Sequence, residues 1–115
     1  MEDETMKFAV PLANGKLTAH FGHCQEFAIV EVEDGRIKKQ ETLVPPPHEP
    51  GVLPNWLHQL GAEVIIAGGM GQRAVSLLAD KGIKVITGAP ELEPEKLVQS
   101  YLDDTLITGV NACDH

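Results

Sequence analysis

The sequence is poor in aromatic and basic residues, and each shortage excludes a class of protein. Aromatic residues make up 4% of the 115 residues, so the core must consist mainly of Val, Ile, Leu and Ala packed in layers, which favours an α/β fold. Nine Lys and Arg residues stand against 17 Asp and Glu residues, for a net charge of −8. Because binding of a phosphate backbone requires clustered cations, we expect no nucleic-acid partner.

Long apolar runs and cysteines are also scarce. The chain has no apolar run of the roughly 18 residues that a membrane span needs, and it shows no signal-peptide pattern. These absences predict a cytoplasmic protein without a membrane partner. The two cysteines are Cys24 and Cys113; their spacing permits a disulfide, although such a bond would be unusual in that compartment.

The length of the chain suits one compact core. The acidic, apolar-poor start predicts a disordered leader over residues 1–5. We expect a single domain over residues 6–102 and a C-terminal tail over residues 103–115.

Hydrophobic periodicity predicts the order of the elements. Alternation and β-branched residues indicate strands, with an Asp34-Gly35 hairpin in the first half. Three- and four-residue spacing with glycine or proline at the ends indicates helices in the second half. The predicted strands cover 6–12, 26–32, 37–44, 63–67 and 83–87, and the predicted helices 52–60, 73–81 and 94–102. This order predicts a mixed five-stranded sheet, antiparallel in its first half and parallel in its second, with helices on its faces.

A loop between the first two strands carries three side chains that can bind metals. His20, His23 and Cys24 combine imidazole and thiolate, which suit soft transition metals and metal–sulfur clusters rather than Mg²⁺ or Ca²⁺. Gly22 between them permits a sharp turn and the close approach of a bulky ligand. The alternative is a surface loop in which Cys24 is a small buried apolar residue.

A glycine-rich turn follows the buried strand 63–67. Gly68, Gly69, Met70 and Gly71 precede a helix whose first N–H groups have no partner within the helix. Such a helix start binds anions, and Arg73 adds a cation nearby. The turn matches neither a Walker A loop nor a dinucleotide fingerprint, and a tight turn selected for packing alone is the alternative.

Two further groups could add ligands. His48 lies in a rigid proline-rich loop and could reach the same sheet edge, or it could be an exposed bystander. Cys113 and His115 end the tail and would complete a four- or five-ligand set if the tail folded back, although their spacing fits no standard zinc motif.

In combination these motifs match a known family. The matching features are the Lys7–Pro11 strand, His20–Cys24, Phe27, Gly68–Gly71 with Arg73-Ala74, and Gly82–Val85. Through them the chain resembles the dinitrogenase iron-molybdenum cofactor biosynthesis family, which includes nitrogenase cofactor carriers and homologues outside nitrogen fixation. The resemblance extends from Met6 to Leu102.

The resemblance implies a ribonuclease H-like fold and reversible, non-catalytic binding of an anionic metal–sulfur cofactor or precursor. Some relatives bind a mixed molybdenum–copper sulfide cluster, and cofactor-assembly proteins are the implied partners. The implied cofactor-binding residues are His20, Gly22, His23, Cys24, His48, Gly68, Gly69, Met70, Gly71 and Arg73. The implied metal ligands are His20, His23, Cys24, Cys113 and His115.

Two other functions remain open at the level of sequence. A thiol-dependent enzyme could use Cys24 with His20 or His23 as the base. A small Zn, Fe or Cu ion-binding or sensor module would use the same side chains. A two-metal nuclease is disfavoured because the first strand, Phe8–Leu12, contains no Asp or Glu.

Overall fold

The computed structural model describes residues 5–18, 25–46, 52–106 and 108, and these residues form six strands and three helices. The strands are β1 (Thr5–Ala13), β2 (Lys16–Leu17), β3 (Glu26–Glu33), β4 (Arg36–Leu43), β5 (Val64–Ile66) and β6 (Lys84–Ile86). The helices are α1 (Val52–Leu60), α2 (Gln72–Asp80) and α3 (Pro94–Leu102).

The strands form one mixed sheet in the order β4-β3-β1-β5-β6, with β2 paired to β1. The pairs among β1, β2, β3 and β4 are antiparallel, whereas β5 runs parallel to β1 and to β6. The predicted α/β class and mixed sheet are therefore confirmed. The predicted number of five strands was wrong by one, because β2 is also a strand.

The additional strand is produced by an Asn-Gly turn. Asn14 and Gly15 both have positive φ, 57° and 81°, as a two-residue hairpin turn requires. The turn brings Lys16 and Leu17 back against Ala13 and Leu12.

The sheet separates two hydrophobic clusters. The first cluster contains Ala9, Ile65 and Met70 and is covered by Leu53 and Leu57 of α1 and Leu78 of α2. The second cluster contains Phe8, Val10 and Ile66 and is covered by Leu97 and Val98 of α3. Successive residues of β1 point to opposite faces, so this strand contributes to both clusters, and the molecule has three layers.

The edge strand β4 contains a bulge that determines which cluster each of its apolar residues joins. Glu31 pairs with Lys39 but Val32 pairs with Ile37, so Lys38 is an extra residue on β4. Paired residues point to the same face, and the extra residue reverses the alternation. Ile37 therefore packs against the second cluster and Leu43 against the first.

The helices agree closely with the predicted ranges. Trp56 of α1 is half-buried and packs edge-to-face against Phe27, with ring centroids 5.5 Å apart, whereas His58 is exposed. Each of the three helices in the described part of the chain has nine residues. None of them is long and apolar enough to cross a bilayer.

Candidate ligand-binding site

Most of the predicted site segments are connected to one edge of the sheet. β1, β4, β5 and β6 run in the same direction, because β4 and β1 are both antiparallel to β3. Their carboxyl ends therefore meet at one edge, which we call the carboxyl edge, and β3 begins there. The His20–Cys24 segment precedes β3, the His48 segment follows β4, and the glycine turn follows β5.

Several of the predicted ligands lie outside the described residues. These are His20, Gly22, His23, Cys24, His48, Cys113 and His115. Gly68, Gly69, Met70, Gly71 and Arg73 are described. Within the described ranges, no group of three or more His, Cys, Asp or Glu side chains could hold a metal ion.

The two residues that flank segment 19–24 lie on opposite sides of β1. Leu12 pairs with Glu26 of β3 and with Leu17 of β2. β2 therefore lies on the same side of β1 as β5, which pairs with the earlier residues Phe8 and Ala9. The Thr18 N–H donates to the Pro11 carbonyl at 3.0 Å, and the Gln25 N–H donates to the Leu12 carbonyl at 2.7 Å. The connection that contains His20, His23 and Cys24 therefore joins the two sides of β1 at its carboxyl end.

The connections also diverge at this point. From β1 the chain passes through β2 and then reaches β3 on one side of β1, whereas from β5 it passes through α2 to β6 on the other side. In α/β sheets, ligands bind outside the carboxyl ends of the strands where connections diverge in this way.

The glycine turn follows β5, the strand next to β1, and so begins at the carboxyl edge. Gly68, Gly69 and Met70 are buried, and the Gly68 carbonyl accepts the Gly88 N–H at 2.6 Å. The Met70 side chain belongs to the first cluster and is 0% exposed, so Met70 could reach a ligand only through its backbone. The turn is therefore held in place by the core and by the segment that follows β6.

Gly71 begins α2 without a side-chain cap. Its φ of −63° and ψ of 150° suit any residue, and a Cβ atom built on it would meet no atom of the described residues within 4 Å. The described part of the chain therefore gives no conformational or steric reason for glycine at this position. The first turn of α2, where the helix dipole favours an anion, also carries the exposed Arg73.

The C-terminal tail starts from the opposite edge. α3 ends beside the amino-terminal half of the strands, where Tyr101 packs on Phe8 with centroids 5.3 Å apart. Lys84, the first residue of β6, donates from Nζ to the Tyr101 hydroxyl at 3.2 Å. Leu106 then packs against the second cluster. The chain that carries Cys113 and His115 thus begins at the edge away from the glycine turn.

Sequence reasoning missed two features of this edge. One is β2, which the Asn14-Gly15 signal could have indicated. The other is the Leu92 carbonyl, which accepts the Leu17 N–H at 3.0 Å and so brings the loop after β6 against β2. No local signal marks that contact, because the two residues are distant in sequence.

The fold defines a three-layer α/β protein that has a glycine turn and a helix N-terminus at the carboxyl edge of its mixed sheet. The chain belongs to the dinitrogenase iron-molybdenum cofactor family, whose model matches residues 5–104. The resemblance stated from the sequence motifs is thereby confirmed.

Individual relatives agree with this assignment. The chain is 35% identical over 81 residues to an uncharacterized protein of Methanocaldococcus jannaschii; the match covers 70% of this chain and 55% of that relative, so the chain spans about half of its length. The crystal structure of PH0822 is similar with a TM-score of 0.84 at 27% identity, covering 92% of this chain and 96% of that chain. The apo form of the orange protein from Desulfovibrio gigas shares the fold, with a TM-score of 0.71 at 24% identity and coverage of 92% and 94%.

Proposed function

We propose that this protein is a non-catalytic carrier that binds an anionic metal–sulfur cofactor, or its precursor, of the iron-molybdenum type at the carboxyl edge. The observation that carries the proposal is the start of α2 at Gly71, where no side chain caps the helix and no atom of the described residues lies within 4 Å of a built Cβ. This helix start is at the carboxyl edge, where both ends of the His20–Cys24 segment are attached.

In the proposed site, side chains bind the metal and backbone groups balance the charge of the ligand. His20, His23 and Cys24 would bind the metal through nitrogen and sulfur. Backbone N–H groups at Gly68–Gly71 and the start of α2 would balance the negative charge of the ligand, with help from Arg73. His48 is a further proposed donor, and Cys113 and His115 are proposed ligands from the tail.

Local compensation of charge is needed because the chain has a net charge of −8. This charge repels an anionic ligand at long range, so the few favourable groups at the carboxyl edge must supply the attraction. We further propose that the fold is ribonuclease H-like, that the protein acts in the cytoplasm, and that it exchanges its ligand with cofactor-assembly proteins.

The test compares wild-type protein with the double variant His20→Ala, Cys24→Ala, with all handling free of oxygen. Both proteins are incubated with tetrathiomolybdate, with and without Cu(I), desalted, and analysed for Mo, Fe, Cu, Zn and acid-labile sulfide. The wild type is expected to retain metal and sulfide, and the double variant to lose most of both. His58→Ala is the matched control, because His58 is exposed in the last turn of α1.

The spectrum of Trp56 shows whether the double variant is folded, because this side chain packs against Phe27 in the core. Equal uptake by a folded double variant would refute the proposal. A metal ion bound without sulfide would indicate the ion-binding module instead. Turnover without metal, together with stoichiometric iodoacetamide labelling of a low-pKa Cys24, would indicate the thiol enzyme.

A further inference from the structure

The two edges of the sheet are built differently. β4 and β6 are the outer strands among the described residues. β4 carries a bulge at Lys38 and the charged side chains of Lys39 and Glu41, and bulges and charges of this kind hinder the pairing of a further strand with an edge. β6 pairs regularly with β5, and its only charged residue is Lys84 at its start. β6 is therefore the edge that a further strand could join.

The outer side of β6 presents backbone groups that bond to no described residue. The Ile86 carbonyl and the Gly88 N–H both bond to the chain that follows β5, at 2.8 Å and 2.6 Å. The N–H and C=O groups of a trans peptide point in opposite directions, so the N–H and the carbonyl of Thr87 both point away from β5. Alternation along the strand gives Val85 the same orientation. No described residue hydrogen-bonds to these outward groups.

The side chains of residues 85–87 are uncharged and β-branched. Val85, Ile86 and Thr87 are each half-buried, and Val85 packs against the first cluster while Ile86 packs against the second. Residues of this type suit a strand that has a neighbour. A strand added here would remove apolar surface from water on both faces of the sheet.

A second copy of the chain fits this edge better than a flexible peptide would. The edge is short, so a peptide would lose its conformational freedom for few hydrogen bonds, whereas β6 of a second copy is already ordered. A two-fold axis at Ile86 pairs this residue with itself and Val85 with the partner's Thr87, whose outward groups then bond reciprocally. Lys84 lies opposite the partner's Gly88, so no like charges meet across the axis.

Helix α2 adds charge complementarity to this arrangement. α2 contacts β6, and a two-fold axis perpendicular to the sheet places it antiparallel to the partner's α2. Arg73 lies in its first turn and Asp80 is its last residue, so each Arg73 comes beside the partner's Asp80. The positive end of each helix also lies beside the negative end of the other. Ser76 and Ala79 are exposed on α2, and their small side chains permit close approach.

We propose that the protein forms a two-fold homodimer in which β6 pairs antiparallel with the partner's β6 and α2 packs beside the partner's α2. The two sheets then form one continuous sheet, and the carboxyl edges of the two copies face in opposite directions. The proposal does not depend on the carrier function, and none of its tests requires a ligand.

The first test compares lysine substitutions in the two edge strands. Ile86→Lys places like charges directly opposite each other at the axis and should raise the Kd of the dimer about tenfold. Ile37→Lys is the matched control, because Ile37 is also half-buried, lies in the other edge strand and packs against the same cluster. Analytical ultracentrifugation up to millimolar protein measures each Kd. A wild type that stays monomeric throughout, or equal weakening by both variants, would overturn the proposal.

The second test locates the contact by cross-linking and is made in a Cys24→Ser, Cys113→Ser background. Ile86 and the partner's Ile86 form a non-hydrogen-bonded pair, whose Cα atoms lie about 4.5 Å apart, within the range that a disulfide can bridge. Oxidation of the Ile86→Cys variant should therefore give a disulfide-linked dimer that a reductant reverses. The Ile37→Cys variant should stay monomeric under the same conditions. Equal cross-linking of the two variants, or none in either, would show that β6 does not pair with itself.

The third test addresses the pairing of the helices. Asp80→Lys should weaken the dimer about threefold, because it removes an ion pair with the partner's Arg73, although the same change favours α2 in the monomer through the helix dipole. Asp103→Lys is the control, since Asp103 is an exposed residue at the end of α3 and should leave the Kd unchanged. Equal effects of the two variants would mean that net charge controls association, and the helix contact would be wrong.

Discussion

At the scale of single residues, two glycines are present for different reasons. Gly61 follows α1 with a φ of +85°, a conformation that side-chain-bearing residues rarely adopt. Next to it, Lys7 Nζ donates to the Leu60 carbonyl at 3.2 Å and closes the end of the helix. Gly71, in contrast, has an ordinary φ, and no atom of the described residues lies within 4 Å of a Cβ built on it. The backbone conformation at position 61 therefore favours glycine, whereas the conformation at position 71 does not.

We predict that Gly71→Asp stabilises the protein and weakens ligand uptake. An Asp side chain can accept from the N–H groups in the first turn of α2, which the N-cap residue does not cap, and it is favoured by the helix dipole; together these effects give about 0.5–1 kcal/mol. The same carboxylate would fill and charge the space proposed for the anionic ligand. Urea unfolding and uptake of tetrathiomolybdate measure the two effects.

Gly61→Ala is the control for that experiment. It should destabilise the fold by about 1–2 kcal/mol, because Ala at positive φ is strained, and it should leave uptake by the folded protein unchanged. If Gly71→Asp took up as much ligand as the wild type, the proposed binding of the anion at the N-terminus of α2 would be wrong.

At the scale of the element, the charges of α2 are placed unfavourably for the helix itself. Arg73 lies in its first turn and Asp80 is its last residue, although the helix dipole favours the opposite arrangement. Both side chains belong to exposed residues. Helix stability therefore does not account for Arg73, whereas the proposed binding of an anion at the N-terminus would.

We predict that Arg73→Ala weakens uptake without destabilising the protein. The loss of one exposed cation near the ligand should reduce affinity about threefold to tenfold at low salt, and the effect should shrink at high salt. The free energy of unfolding should stay the same or rise by a few tenths of a kcal/mol.

Lys81→Ala provides the matched control, because Lys81 is the exposed cation just beyond the other end of α2. It should cost a few tenths of a kcal/mol in stability and leave affinity unchanged. Equal losses of affinity in both variants would mean that net charge, and not the position of Arg73, attracts the ligand.

At the scale of the whole molecule, one sheet connects the two hydrophobic clusters. β1 contributes Ala9 to the first cluster and Phe8 and Val10 to the second. Loss of packing on one face of the sheet would also release the strands that pack on the other face, because both clusters share these strands. We therefore expect the two faces to unfold together.

The chain offers one reporter for each face, because it contains one Trp and one Tyr. Trp56 packs against Phe27 beside the first cluster, and Tyr101 packs against Phe8 in the second. We predict that Trp56 fluorescence and a Tyr101 NMR signal give the same urea midpoint, with a slope of about 1–3 kcal/mol per M. Two separate midpoints would contradict the expected single domain over residues 6–102.

Much of this architecture could be predicted from local patterns. The alternation of Phe8 and Val10 with their neighbours, the Asp34-Gly35 turn and the helix range 94–102 each depend on nearby residues, and each appears in the structure. β2 was not predicted, since two residues are too few to show a period. The roles of His20, His23, Cys24 and His48 remain predictions, because these residues lie outside the described ranges.

Local patterns were sufficient to predict every element except β2, the layered core and the side chains available for a soft metal–sulfur ligand, because propensity, periodicity and side-chain chemistry are local properties. The three-dimensional fold was needed to establish which strands are neighbours, which cluster Ile37 and Leu43 join, and that Thr18 and Gln25 flank the carboxyl end of β1. These outcomes depend on pairing between distant segments and on one extra residue in β4. A hydrophobic pattern predicts that one face of an element is buried, but it does not predict which segment covers that face.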